Sequence, residues 1–220
     1  MGNKRNVSID IAKGIGILLV IIGHGAIPSW CKDAIFSFHM PLFFILSGYF
    51  FRNETPLLRM RKDARRLLLP YVVTIAVITL YMLVVHQGIR HDGWYYMVNT
   101  LWFWIYPTGA PGGLNFIGPI WFLFALFWTK GTFNLIEKVH NLWFYIILVF
   151  IAFAPFYLYY LIGRDLPLAI SQGLISIVFF WAGYEWKKHE LSLGGSRFKA
   201  MLLICMALWV IGVMCSDLDV

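Results

Sequence analysis

The chain has 220 residues, of which 60% are hydrophobic and 13% charged. An ordinary soluble domain carries about 25% charged residues, so composition excludes a soluble enzyme and leaves no room for a separate soluble catalytic module. The net charge of +7 would suit nucleic acid, but the placement of the cations argues for a membrane instead, and no nucleic-acid partner is expected.

Apolar runs close to the ~20 residues that cross a bilayer recur at 9–27, 35–51, 68–86, 117–136, 142–162, 168–186 and 199–215. The expected fold is an all-α polytopic membrane protein, a single domain over 1–220 with about seven transmembrane helices. The stretch "WYYMVNTLWFWIY" (94–106) is aromatic and interrupted, and reads as an interfacial or re-entrant segment. "PTGAPGGLNFIGP" (107–119) is a Gly/Pro loop. With the N-terminus inside, fourteen of the eighteen Lys and Arg fall in cytoplasmic loops or tails. Lys32, Arg90 and Arg164 fall outside, and Lys13 lies within a span. That asymmetry sets the orientation and accounts for most of the basic charge. Three cysteines, Cys31, Cys205 and Cys215, form neither a disulfide framework nor a metal-ligand spacing, and no metal is expected.

The first run, "DIAKGIGILLVIIGH" (10–24), lacks a cleavage site before Pro28 and carries internal polar groups, so it reads as a span and not a signal peptide. At 100° per residue, Asp10, Lys13 and His24 share one face, with Lys13 and His24 about 16 Å apart along the axis. Asp10 and Lys13 read either as an interfacial i,i+3 pair with a snorkelling lysine or as part of a functional stripe. His24, expected about a turn inside the outer end, reads either as a hydrogen-bonded structural histidine or as a group facing a bundle interior or aqueous cavity. Gly14, Gly16 and Gly23 permit close approach of a helix or a ligand.

The second run, "FSFHMPLFFILSGYFF" (36–51), runs back inward and places His39 at a depth similar to His24. Two histidines on helices joined by a short loop can converge on one site. "RMRKDARRLLLPY" then packs Arg59, Arg61, Lys62, Arg65 and Arg66 into eight residues. This cluster reads either as positive-inside anchoring with contact to anionic lipid or as a phosphate clamp, because arginine presents a bidentate fork to phosphate. The aromatic stretch 94–106 and Trp121-Phe122 read either as a membrane-interface belt or as platforms for sugar rings.

Several motifs occur together and in order: Asp10-x-x-Lys13-Gly14 with Val20 and His24, "FHMPLFFILSGYFF" (38–51), the basic loop to Leu69-Pro70-Tyr71, "GPIWFLFALFW" (118–128) and "DLPLAISQGLISIVFFWAGYEWKK" (165–188). In these the chain resembles the acyltransferase family 3 membrane proteins, particularly the fucose 4-O-acetylase-like branch. It departs from the usual family pattern in having Lys13 at the position of the family's arginine, which keeps the charge and loses the fork. It is also short of the family's roughly ten spans, so it is expected to be truncated at its C-terminus.

The resemblance implies a membrane O-acyltransferase, multi-pass in a bacterial cytoplasmic membrane. It would move an acetyl group from acetyl-CoA, a co-substrate, to a hydroxyl of a sugar or cell-envelope glycan. Within that expectation His24 is the general base, with transient acyl carriage as its other role. His39 orients the acceptor or stabilises the oxyanion, and Asp10 and Lys13 hold the inner end. Arg59, Arg61, Lys62, Arg65 and Arg66 bind the phosphates of CoA. An inactive scaffold fragment and a small-molecule transporter are the competing expectations; no internal repeat supports the latter.

Overall fold

A computed structural model describes residues 7–89, 120–139 and 142–188, with Leu203. The aromatic segment 94–106, the loop 107–119 and the expected span 199–215, Leu203 apart, lie outside the described residues. Those described contain helices and no strand. The chain divides into two compact units, Met1–Arg52 with Val178–Val220, and Asn53–Ile177.

In the first unit, α1 (Val7–Gly23) and α2 (Ser29–Tyr49) are joined by five residues, so they lie antiparallel. Their register is set by glycine. A Cβ on Gly16 would stand 3.1 Å from Phe43 Cζ, and one on Gly23 would stand 2.8 Å from Phe36 Cε1. Large rings of α2 thus occupy space that a side chain on α1 would fill. The helix ends at Gly23, where Gly25 and Pro28 follow, so His24 caps its last turn instead of sitting a turn inside it. α2 begins six residues before its apolar run, directly after Pro28, because its first turns carry Lys32 and Asp33 and are not apolar.

α8 (Ile177–Lys188) crosses α2 at backbone distance. A Cβ on Gly48 would collide with the carbonyl oxygen of Phe180, and one on Gly183 with that of Ile45. Around this crossing Phe51 meets Phe180 and Tyr184 edge-on, with centroids 5.5 and 5.9 Å apart.

In the second unit a long helical run comprises α3 (Pro56–Asp63), a π turn (Ala64–Leu68) and α4 (Leu69–Ile89). Pro56 starts it at a position whose N–H would be unpaired anyway. Pro70 has no N–H to give and crowds the carbonyl four residues back. The wider turn immediately before it, in which Leu69 N–H bonds Ala64 O, absorbs that misfit. α5 (Trp121–Ile136) buries Phe124, Ala125, Phe127 and Phe133. α6 (Leu142–Ile162) turns Leu148, Ala152 and Pro155 inward, and ends at Gly163, whose φ of 71° favours a residue without a Cβ.

The expected span 168–186 is broken. Leu168 and Ala169 both adopt left-handed backbone, with φ of 56° and 52°. Only the six residues of α7 (Ile170–Ile175) then precede a turn at Ser176 and α8. Trp128 Nε1 donates to Leu168 O at 3.1 Å, and the Thr129 hydroxyl reaches Gly173 O at 2.7 Å, so α5 holds the unusual backbone in place. Among the described residues, two helical stretches are long and apolar enough to cross a membrane, Pro56–Val85 and Leu142–Ile162.

Candidate functional site

The sequence-predicted residues fall in both units. Asp10, Lys13, His24 and His39 belong to the first, and the five cations of 59–66 to the second.

His24 follows α1, and its backbone N–H still bonds Val20 O at 3.2 Å. Its ring Nδ1 lies 2.8 Å from the same oxygen. His39, on α2, is buried at 3% exposure, with Nδ1 2.7 Å from Ile35 O. A carbonyl oxygen only accepts, so in each ring Nδ1 carries the hydrogen. The Nε2 atom of each neutral ring therefore keeps its lone pair. Phe36 stands between them, its centroid 5.1 Å from that of His24 and 5.4 Å from that of His39. The two histidines thus lean on one aromatic ring that sequence reasoning did not single out. Phe36 lies three residues before His39, on the same helical face, but nothing in the sequence distinguishes it from the other phenylalanines of this helix.

Such an imidazole can accept a proton from a hydroxyl at Nε2. It cannot donate there unless protonated, so neutral His39 is suited to orienting a hydroxyl. Stabilising an oxyanion would need its imidazolium form.

Lys13 is placed elsewhere. Its ammonium lies over the ring of Phe50, 4.0 Å from the centroid, at the end of α2 remote from Phe36. Fourteen residues separate Phe36 from Phe50, about 21 Å of helix. Asp10 is half-buried near the start of α1. The polar stripe of α1 therefore has a histidine end and a lysine end, each seated on an aromatic ring of α2.

In the second unit the five cations are not equivalent. Arg59 is 9% exposed and Asp63 3%, with Arg59 Nε 3.6 Å from Asp63 Oδ2. Lys130 of α5 reaches Asp63 Oδ1 at 3.2 Å. Lys62 pairs with Glu54 at 2.9 Å. That hydrogen bond is the main reason the Glu54 carboxyl is held below its ordinary value of 4.5, with the charges of Lys62, Arg59 and Arg66 adding to it. Asn134, 1% exposed, donates to Glu54 O at 3.2 Å, and Asn53 donates to Glu137 at 3.0 Å. The segment 53–63 is thus fastened to α5, while Arg61, Arg65 and Arg66 are exposed. Lys130 and Asp63 were not singled out from sequence; a lone acid among five cations was the available sign.

Comparison with known proteins gives three results. Residues 6–218 match a protein-family model described as an acyltransferase domain, of the acyltransferase 3 type. The chain is 47% identical to a nodulation protein NolL of Mesorhizobium japonicum over 21% of its own length, and 40% identical to a nodulation protein NolL of Sinorhizobium fredii over the same share. Each match spans 16% of the relative. No solved structure matches the chain.

Proposed function

From the premise that this chain belongs to the acyltransferase 3 domain family, we propose that it is a multi-pass membrane O-acyltransferase. Its reaction is transfer of an acetyl group from acetyl-CoA to a hydroxyl of a sugar or cell-envelope glycan. The observation that carries this reading is the paired histidine arrangement, two imidazoles with Nδ1–H committed to the backbone and Nε2 left as the basic atom.

A sugar hydroxyl is a weak nucleophile at neutral pH, and a positioned base contributes typically 10²–10⁴-fold. His24 Nε2 takes the hydroxyl proton as the oxygen bonds to the acetyl carbon. The carbon–sulfur bond then breaks, and the CoA thiolate leaves and collects that proton. His39 Nε2 accepts a hydrogen bond from the acceptor and orients it. In the second unit, Arg61, Arg65 and Arg66 provide exposed forks for the donor's phosphates. Arg59 and Lys62 contribute charge while anchoring the segment. Lys13, over Phe50, and Asp10 serve the inner end of α1. The orientation follows the loop charges, with the N-terminus in the cytoplasm of a bacterial cell.

The test is acetyl transfer by the reconstituted protein, followed as thiol released from acetyl-CoA, with L-fucose and other glycans as acceptors. His24→Gln should lose at least 100-fold in kcat, at the low end of what a positioned base supplies, with folding verified by thermal unfolding. Retention of full activity would remove His24 as the base.

A further inference from the structure

We infer that Phe36 is a positioning residue for the transfer reaction, the ring that fixes the planes of both imidazoles. The inference rests on the proposed role of His24 and His39. Each histidine is held at two points. One is the Nδ1 bond to the carbonyl four residues back, at 2.8 Å for His24 and 2.7 Å for His39. The other is the Phe36 ring, tilted 58° to His24 and 48° to His39. A ring bonded only through Nδ1 still rocks about that bond; a ring also leaning on an aromatic neighbour does not. The ring atom left without a backbone bond is then Nε2, held in one orientation, which is the preorganisation that a general base needs.

One edge of the Phe36 ring rests in the space that Gly23 leaves open. A Cβ on Gly23 would lie 2.8 Å from Phe36 Cε1 and 3.1 Å from Ile35 Cγ2. Gly23, Phe36, His24 and His39 therefore form one mechanical unit. Moving the phenyl ring disturbs both imidazoles at once without substituting either histidine. Phe36 keeps 36% exposure, against 41% for Phe38 and 72% for Trp30, so its contacts with the two imidazoles, and not burial, set it apart on this helix.

The deciding measurement is nitrogen NMR of the reconstituted protein labelled at histidine, with the signals of His24 and His39 assigned by His24→Gln and His39→Gln. Both rings should show hydrogen on Nδ1 and a bare Nε2 in the parent protein. Phe36→Leu, which keeps apolar bulk, should mix the two tautomers in at least one ring and lower kcat about tenfold or more, with the KM for acetyl-CoA unchanged. Phe36→Tyr, which keeps the ring, should restore both. Gly23→Ala, which displaces the ring without removing it, should resemble Phe36→Leu. Unchanged nitrogen signals of both histidines in Phe36→Leu would overturn the inference, whatever the transfer rate. Full activity in His24→Gln would instead overturn the proposed reaction chemistry, so the two failures are distinct.

Discussion

The carboxylate of Asp63 and the ammonium of Lys130 meet at 3.2 Å across 67 residues of sequence, with side-chain exposures of 4% and 19%. Arg59 approaches the other carboxylate oxygen at 3.6 Å, so one acid serves two cations. Removing a shared buried acid leaves uncompensated charge, at a cost of about 3–5 kcal/mol. Asp63→Asn should therefore lower thermal stability strongly. Lys130→Met should lower it less, since Asp63 keeps Arg59. Equal losses in the two variants would show that Asp63 is not the hub.

The α2–α8 crossing makes a second prediction. Gly48→Ala and Gly183→Ala each force a methyl into a backbone carbonyl, Phe180 O and Ile45 O respectively, so neither obstacle can swing aside. Overpacking of this kind costs about 1–3 kcal/mol or more. Gly14 has nothing within 4 Å of a built Cβ, and Gly14→Ala should be neutral or stabilise α1 by up to about 1 kcal/mol. Thermal unfolding in detergent distinguishes them.

Acidification should loosen the 53–63 segment through Glu54. Its carboxyl is held below 4.5 by Lys62 and neighbouring cations, so the ionised form is favoured in the folded chain. The stabilisation is complete above pH 4.5 and disappears as pH falls through the lowered native value. The stability gap between the parent and Glu54→Gln should therefore be widest near neutrality and close in acid. A gap that widens on acidification would contradict the Lys62 bond.

The cations should separate by role. Arg65→Glu and Arg66→Glu together should raise the KM for acetyl-CoA about tenfold or more, since bonds to charged groups contribute about 1.5–3 kcal/mol each, with thermal stability little changed. Arg59→Gln should chiefly cost stability. Donor dependence unaltered by reversal at Arg65 and Arg66 would assign that surface to lipid.

How much of this was legible beforehand differs by element. The neighbourhood of the two histidines could be read because a short connection folds α2 back along α1, although the depth expected for His24 did not hold. Phe36 could not, since a phenylalanine in an oily helix looks identical whether it faces lipid or a histidine. The inward turn of Arg59 depends on Asp63 and Lys130 meeting across 67 residues, a tertiary fact. The break at Leu168 and Ala169 was hidden because neither is glycine. Their left-handed backbone is sustained from outside by Trp128 and Ser171, which bond Leu168 O and Leu166 N. The apolar run 168–186 therefore reads as one span although the backbone does not continue as one helix.

The π turn at Ala64–Leu68 makes this part of the chain sensitive to length rather than to composition. It accommodates one residue more than an α turn would, so α3 is rotated by about 100° from the phase that α4 alone would impose. Deleting a single residue within 64–68 could keep every charge and still swing Arg59 and Asp63 away from Lys130. Substitutions at these five positions should be tolerated far better than a change in their number.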